Sequence, residues 1–436
     1  MPSPAPEPLA PRPLTVWLAN PFDDIPGEGL PPLRYWTLAR VLASRGHAVT
    51  WWSSTWSHRR KAVRMAPLGT LEDEGFAVRL VATPPYVKDG SLAELRNHRD
   101  FGRTFERLAN ESVSSGQIER PDIILASLPP LEGPEAAARL ARRLDATLIV
   151  DVMDVWPETF ERLLPGPAFV RRPLAKLLFG GMYRRRAELL ASADGIASAT
   201  HTYADAVLHG AAAERPRHVC YVGAFKEEFP PPPRLIDPVP PAGGPVAPAS
   251  AFEPIRCIYS GSLGTGQDLQ TLVAAARALS AAGTRAVLHV AGTGPLEPML
   301  RSAAASLRGS CELHVHGLLP RADYVKLMSE CDLGLVLVNP ESLVAVPYKA
   351  CDYAAAGLAL VNSLPGELAG LIESYEAGVP YAAGDGQSLA RAIAGLATDR
   401  RRLLVMRHAA RRLAAVEFDR ERTYARFADW IETLAG

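Results

Sequence analysis

The chain contains two series of short apolar runs that alternate with helical periods, and a proline-rich stretch separates the two series. Runs of four to six apolar residues are typical of strands buried on both faces, as in a parallel sheet covered by helices. Residues 230–248 contain nine prolines and almost no large apolar side chain, which is typical of a stiff linker without its own core. The pattern therefore predicts an α/β protein with two domains, each built on a parallel, doubly wound sheet.

Length and composition agree with two globular domains. A chain of 436 residues is too long for one typical core, and its 47 basic and 47 acidic residues give no reason to expect a nucleic-acid partner. Residues 1–13 are rich in proline and alanine, which predicts a disordered tail and not a signal peptide. The five cysteines are scattered without metal-ligand spacing, and no apolar run is long enough to span a bilayer. We expect a cytoplasmic protein.

Residues 340–361 predict a loop, a short helix that begins near Tyr348 and ends at Gly357, and a buried strand. The amino end of a helix presents unpaired N–H groups and a partial positive charge, so it can hold a phosphate. Lys349 adds a cation in the first turn, and Asp352, three residues further on, could accept hydrogen bonds from ribose hydroxyls. The segment predicts a nucleoside-diphosphate site, and the alternative is an ordinary buried loop–helix–strand unit.

Three glycine-containing turns follow predicted strands of the second half, at residues 261–264, 292–295 and 317–320. Glycine allows the backbone to approach a ligand closely, and backbone N–H groups can hold phosphate oxygens or a base edge. None of the turns completes G-x-G-x-x-G. In the turn that contains Gly292 and Gly294, Glu297 stands where the third glycine of the motif would be. This argues against a nicotinamide or flavin dinucleotide.

These segments resemble the donor-binding signature of the family 4 glycosyltransferases, whose two Rossmann domains have the arrangement called GT-B. Further tracts that match the family pattern are residues 21–34, 46–47, 127–130, 151–158, 259–264 with 268–269, 291–295 and 317–320. S-x-P-P at 127–130 and D-x-x-D-x-W-P-E at 151–158 are similar to a bacterial subgroup, typified by the N-acetylfucosamine transferases of O-antigen assembly.

The resemblance implies the GT-B fold, in which two Rossmann-like doubly wound domains face a central cleft and the last helix returns to the first domain. The acceptor-binding domain would comprise residues 14–229 and the nucleotide-sugar-binding domain residues 255–415, with a linker at 230–254. The returning helix would lie within 416–436, with Phe427 and Trp430 as its anchors.

The resemblance also implies a donor site with contributions from both domains. Its residues would be Gly27 and Gly29 of the first domain, and Gly261, Ser262, Gly292, Gly294, Gly317, Leu318, Ser342, Leu343, Val344, Lys349 and Asp352 of the second. The sequence departs from the family where a Glu-x7-Glu pair is common, because Val344 and Asp352 stand at those two positions. The usual Arg and Lys after the first strand of the second domain are also missing, so Lys349 would carry more of the diphosphate charge.

Asp154, Lys349 and Glu341 are the candidate catalytic residues. Asp154 follows a predicted strand, where a carboxylate could orient the acceptor or stabilise a positively charged, sugar-like transition state. Capping of a helix is the alternative role for Asp154, and Glu341 could reach the sugar from its loop. The chain contains no Asp-x-Asp triplet, so we expect no essential metal and no cofactor beyond the nucleotide-sugar itself.

A basic segment with an apolar face comprises residues 168–191 of the first half. Its basic residues are Arg171, Arg172, Lys176, Arg184, Arg185 and Arg186. Such a helix can lie on an anionic membrane surface, and it can equally be a surface helix packed on its own domain. The residues that could extend this surface are Trp51, Trp52, Trp56, Arg59, Arg60, Lys61 and Arg64, although core packing suits Trp51 and Trp52 better.

The expected function is retaining transfer of a sugar from a nucleoside-diphosphate-sugar to a hydroxyl of a glycan acceptor, which could be undecaprenyl-linked. The enzyme would act in polysaccharide synthesis in the cytoplasm, at the inner face of the cell membrane if the acceptor is lipid-linked. One alternative is a non-hydrolysing nucleotide-sugar 2-epimerase, which uses the same fold. The other is a catalytically silent sugar-nucleotide-binding or membrane scaffold subunit, which the missing charged pair favours.

Overall fold

The computed structural model describes residues 12–28, 32–64, 69–71, 74–88, 90–162, 164–231, 253–264, 266–339 and 341–435. Most of the predicted tail and nearly all of the predicted linker lie outside the described residues. The chain divides into two compact units, which we call unit 1 (up to Cys220, and from Tyr424 onward) and unit 2 (from Tyr221 to Thr423). The predicted domain limits at 229, 255 and 415 remain predictions.

Unit 1 is built on one sheet of eight strands in the order β10-β9-β8-β7-β1-β2-β6-β5, all parallel except β5, which is antiparallel to β6. The strands of unit 1 are β1 (Thr15–Ala19), β2 (Ala48–Ser54), β3 (Trp56–Ser57), β4 (Ala62–Val63), β5 (Gly69–Leu71), β6 (Phe76–Val81), β7 (Ile123–Leu128), β8 (Thr147–Val152), β9 (Gly195–Ser198) and β10 (Arg217–Val219). Its helices are α1 (Arg34–Ser44), α2 (Leu92–Ser114), α3 (Glu132–Leu144), α4 (Glu158–Glu161), α5 (Ala168–Ser192) and α6 (His201–Val207). All six residues of the central strand β7 are buried, which explains its unbroken apolar run.

Unit 2 is built on a six-stranded parallel sheet in the order β13-β12-β11-β14-β15-β16. Its strands are β11 (Ile255–Ser260), β12 (Ala286–Ala291), β13 (Cys311–Gly317), β14 (Leu333–Val336), β15 (Ala359–Asn362) and β16 (Gly378–Pro380). Its helices are α7 (Leu269–Ala281), α8 (Glu297–Ser306), α9 (Arg321–Ser329), α10 (Tyr348–Ala355), α11 (Glu367–Tyr375), α12 (Gly386–Thr398) and α13 (Arg400–Leu413). This strand order places the topological switch point between β11 and β14, where ligands bind at the carboxyl ends of the strands.

The last helix, α14 (Arg420–Ala435), begins in unit 2 and packs on unit 1. Phe427 is fully buried in the core of unit 1 and Trp430 packs against that core, while Arg45 binds Asp429 at 2.7 Å and Glu432 at 3.0 Å. The predicted return of the last helix to the first domain, with Phe427 and Trp430 as anchors, is therefore confirmed.

The predicted extension of a membrane surface by the residues around β3 and β4 is wrong for two of them. Trp56 and Arg64 are buried, so they cannot extend a membrane surface, whereas Trp51 and Trp52 belong to the core as predicted. The reason is that the β3–β4 hairpin folds Trp56 inward against Tyr86, at a ring separation of 6.0 Å.

Among the helices that the structure describes, none combines the length and the apolar character that a membrane span requires.

A buried ion pair joins the amino end of α1 to the carboxyl end of β8. The guanidinium of Arg34 binds both oxygens of Asp151 at 2.8 Å, and both side chains are fully buried. Arg34 also donates a hydrogen bond to the carbonyl of Cys220, the last residue before the chain enters unit 2. Asp151 is therefore structural.

We predict that Asp151→Asn lowers the free energy of unfolding by about 3–5 kcal/mol, because it leaves the buried Arg34 charge without compensation. The matched control is Arg12→Ala, which removes an exposed ion pair with Asp122 (2.9 Å) and should cost less than about 1 kcal/mol. Urea unfolding followed by tryptophan fluorescence measures both. A loss from Asp151→Asn as small as that from the control would contradict the assignment.

Candidate functional site

Three glycine-containing loops lie side by side at the carboxyl ends of β11, β12 and β13. The Gly261 N–H donates to the Ala291 carbonyl at 2.9 Å, and the Gly292 N–H donates to the Gly317 carbonyl at 2.7 Å. Leu263 and Thr293 add a further backbone hydrogen bond of 2.9 Å between the first two loops. The structure therefore brings together the predicted residues Gly261, Ser262, Gly292, Gly294, Gly317 and Leu318.

The glycines are required by the contact between these loops. A Cβ atom on Gly292 would lie 1.8 Å from the Gly261 carbonyl oxygen, and one on Gly294 would lie 2.7 Å from the Leu263 backbone. Both glycines also have backbone φ angles, +147° and +153°, that residues with side chains rarely adopt. Loop packing alone thus accounts for part of the motif, and a role in holding phosphate stays a prediction.

Lys349 extends from the first turn of α10 towards the first of these loops. Its ammonium lies 4.0 Å from the centre of the Tyr259 ring and donates to Gln267 Oε1 at 3.1 Å. A Cβ atom on Gly261 would be 3.2 Å from the lysine Nζ. No carboxylate in the described part of the chain lies within ion-pair distance of it. Burial lowers the pKa of Lys349 to about 7, which is the expected effect of withdrawing an ammonium from water without a counter-charge.

Asp352, the predicted ribose ligand, is already paired. Arg321 at the start of α9 donates to Asp352 Oδ2 at 3.0 Å and also forms an ion pair with Glu228. The Asp352 side chain is 19% exposed, so it is partly accessible to solvent. Sequence reasoning missed Arg321 and Gln267, although both are polar residues a few positions after the glycine loops.

The loop between β14 and α10 carries the remaining predicted residues of unit 2. It is held by Asn339, whose carbonyl accepts from the Ser342 N–H at 2.9 Å and whose side chain accepts from the Glu341 N–H at 3.2 Å. The exposed side chains of the loop are Glu341 and Val344, and Ser342 and Leu343 are half-buried. Leu318, after β13, is 79% exposed.

Asp154 lies in unit 1, directly after β8. Its carboxylate is half-buried and accepts from the Val155 N–H at 2.7 Å, and burial raises its pKa. The next helix, α4, begins after Pro157, so Asp154 is not the residue that caps it. The packed ring system of Trp156, His98 and Phe22 lies beside this loop, with ring separations of 5.8 Å and 5.5 Å.

Gly27 lies in the loop that follows β1, with a φ angle of +86°, and Gly29 lies outside the described residues. This loop is unexpectedly acidic for one assigned to a diphosphate. Asp23 is buried and accepts from the Tyr35 N–H at 2.9 Å, and burial raises its pKa to about 6. Asp24 is buried beside Arg59, at 3.0 Å. In the described ranges, no group of His, Cys, Asp and Glu side chains has the geometry of a metal site.

Residues 254–399 match the family model described as "Glycosyl transferases group 1". No curated protein sequence matches the chain.

Several solved structures match over nearly the whole chain at low sequence identity. HepE of Anabaena in complex with UDP is 15% identical, covers 96% of this chain and 100% of its own, and has a TM-score of 0.64. Sucrose-phosphate synthase of Thermosynechococcus elongatus is also 15% identical, covers 97% of this chain and 99% of its own, and has a TM-score of 0.67. A glycosyltransferase of Rickettsia africae is 12% identical over 97% and 98%, with a TM-score of 0.63. The chain therefore has the GT-B fold, and residues 254–399 of unit 2 are similar to the group 1 glycosyl transferases.

We predict that Gly292→Ala lowers the free energy of unfolding by about 2 kcal/mol or more, because the added methyl group forces the first two loops apart. The matched control is Gly370→Ala in α11, where a Cβ atom meets nothing within 4 Å. There the alanine should stabilise the helix by up to about 1 kcal/mol. Thermal unfolding distinguishes the opposite signs, and a neutral Gly292→Ala would show that the loops are not in close contact.

Proposed function

We propose that this chain is a retaining, metal-independent GT-B glycosyltransferase that moves a sugar from a nucleoside-diphosphate-sugar to a hydroxyl of a glycan acceptor. The observation that carries the proposal is the half-buried Lys349 ammonium, which lies beside the glycine loops without a carboxylate partner in the described residues. A buried cation of this kind is stabilised by an anion from outside the chain. The group 1 match of residues 254–399 supports a donor diphosphate as that anion.

Transfer requires stabilisation of the negative charge that builds on the diphosphate as the sugar–phosphate bond breaks. Lys349 and the N–H groups at the amino end of α10 would supply that stabilisation without reorganisation, because the fold already holds them in place. The loop of residues 342–344 would close on the same phosphates. Glu341 would reach the sugar from this loop.

Asp352 would hold the ribose, with Arg321 fixing the orientation of its carboxylate. One carboxylate oxygen is bound to Arg321, which leaves the other to accept from a ribose hydroxyl. Backbone groups near Gly292 and Gly317 would meet the base. HepE of Anabaena binds UDP and UDP-glucose in its solved complexes, so UDP-sugars are the first donors to test.

Asp154 would orient the acceptor hydroxyl or stabilise the positively charged sugar of the transition state. Burial raises the pKa of Asp154, so its carboxylate accepts a proton from a neighbouring hydroxyl more readily than an ordinary carboxylate does. We further propose that the acceptor is a lipid-linked glycan, such as an undecaprenyl-linked oligosaccharide of polysaccharide synthesis. The enzyme would then work at the inner face of the cell membrane, through the helix that carries Arg171 to Arg186.

We predict that UDP-sugar affinity falls as the pH rises through the pKa of Lys349. In the free protein burial lowers that pKa to about 7, and a bound diphosphate raises it again, so binding takes up a proton. The dissociation constant should therefore rise about twentyfold between pH 6.5 and pH 8.5, where the diphosphate diester itself does not titrate. Isothermal titration calorimetry in two buffers measures the constant and the proton uptake.

The matched variants are Lys349→Arg, which stays charged throughout and should lose the pH dependence, and Lys349→Met, which should bind at least tenfold more weakly at pH 6.5. Undiminished turnover of Lys349→Met with an intact fold would favour the scaffold alternative. UDP release that needs no acceptor would favour the 2-epimerase.

We predict that Asp154→Asn lowers transfer at least about a hundredfold while donor affinity stays within twofold, because Asp154 acts on the acceptor and the transition state. The assay follows labelled sugar from UDP-, GDP- and TDP-sugars into lipid-linked glycans extracted from bacterial membranes. Asp205→Asn, at an exposed position of α6, is the control and should leave transfer unchanged. Equal losses of transfer and of donor affinity would contradict the assigned role.

A further inference from the structure

Unit 1 exposes large apolar side chains in two clusters. The first, which we call the α5 patch, consists of Phe169, Val170, Leu177 and Leu178, with Phe169 and Leu177 exposed by 78% and 80%. The second, which we call the hairpin patch, consists of Val63, Val87, Leu92 and Leu95, with Val87 and Leu92 exposed by 82% and 85%. Side chains this exposed stabilise nothing in the free protein, and clustered ones mark interaction surfaces.

The α5 patch projects beyond the sheet. Helix α5 has 25 residues and is about 37 Å long, whereas the six residues of β8 span about 20 Å. The end of α5 returns to the amino edge of the sheet, where the Asp194 N–H donates to the Leu148 carbonyl at 2.9 Å. The surplus length therefore extends past the carboxyl edge. Burial agrees, because Leu189 and Leu190 near the end of α5 are buried while Leu177 and Leu178 are exposed.

The hairpin patch lies at the same edge. Val63 belongs to the hairpin that follows β2, and Val87 and Leu92 belong to the segment that follows β6. Strands β2, β6 and β8 are parallel, so the segments that follow them leave the sheet at one edge. The two parts of the hairpin patch are held together by Lys61, whose ammonium lies 4.4 Å from the Tyr86 ring. This edge also carries the Asp154 loop.

Exposed basic residues lie beside both patches, and Asp89 also lies in the sequence between Val87 and Leu92 of the hairpin patch. No acidic residue occurs from residue 168 to residue 187, and Lys176 and Arg184 are exposed and form no ion pair with any described residue. Beside the hairpin patch, Arg60 and Lys88 are also exposed and form no ion pair with any described residue. Three of the basic residues predicted for this role form ion pairs within unit 1. Arg172 pairs with Glu161 at 4.0 Å, Arg185 binds Glu132 and Glu135, and Arg186 binds Glu158.

We propose that unit 1 docks on an anionic lipid bilayer through the α5 patch and the hairpin patch together. The apolar side chains enter the interface, while Lys176, Arg184, Arg60 and Lys88 meet anionic headgroups. Docking points the carboxyl edge of the sheet, with Asp154, towards the membrane. The proposal adds a membrane partner to the proposed function. It rests on that function only for the lipid-linked acceptor, which must be reached at the bilayer surface.

The test is sedimentation of the full chain with vesicles of phosphatidylglycerol and phosphatidylethanolamine (30:70) and with vesicles of phosphatidylcholine alone. We expect binding to the anionic vesicles, at least tenfold weaker binding to the neutral ones, and a marked loss at 0.5 M NaCl. Leu177→Asp with Leu178→Asp should weaken binding at least tenfold, and so should Val87→Asp with Leu92→Asp, because each pair removes one of two anchors.

The matched control is Val405→Asp in unit 2, an exposed apolar position of α13 that should leave vesicle binding unchanged. Circular dichroism and UDP-sugar binding verify that each variant is folded. Failure to bind anionic vesicles, or equal binding to neutral ones, overturns the proposal and leaves the patches to a protein partner. If only one of the two double variants weakens vesicle binding, the two-patch arrangement is overturned. Donor binding in solution is measured separately, so failure of membrane docking and failure of the proposed function are distinguishable.

Discussion

Backbone packing among three loops determines the candidate site of unit 2. The Gly261, Gly292 and Gly317 loops are joined by hydrogen bonds of 2.7 to 2.9 Å, and their contact leaves no room for a Cβ atom on Gly292. The residues of these loops, 261–264, 292–294 and 317–318, carry no charged side chain. In the proposed site, the charge that a diphosphate requires would therefore come from Lys349 of α10. The aromatic face of Tyr259 supports its ammonium, and no described carboxylate lies within ion-pair distance of it.

In unit 1, two carboxylates with different roles lie at the carboxyl edge of the sheet. The bidentate Arg34–Asp151 pair fixes the end of β8, and Asp154 follows three residues later. A carboxylate used on an acceptor must be held in place without being neutralised by its own protein. Asp151 binds the buried arginine, whereas Asp154 accepts from the Val155 N–H and forms no ion pair with any described residue. The structural carboxylate of Asp151 and the candidate catalytic carboxylate of Asp154 are thus three residues apart.

Much of this could be predicted from the sequence, because parallel strands buried on both faces leave unmistakable apolar runs. Helix α10 begins at Tyr348 as predicted, and the final helix returns as expected. Pairings between distant residues could not be predicted. Gln267 precedes Lys349 by 82 positions and Arg321 precedes Asp352 by 31, and no local pattern records either contact. The same limit explains Arg185, which belongs to the predicted membrane-facing segment but binds Glu132 and Glu135 of α3.

The exposed half of α5 follows from length and not from composition. A crossover helix that only covered a strand of six residues would need about 13 residues, because a helix rises 1.5 Å per residue and a strand about 3.3 Å. Helix α5 has 25, so roughly half of it has no sheet to cover. Phe169 and Leu177 lie on that half and are 78% and 80% exposed. An excess of helix that carries exposed apolar and basic side chains, at the sheet edge that also carries Asp154, is what the proposed docking on an anionic bilayer would require.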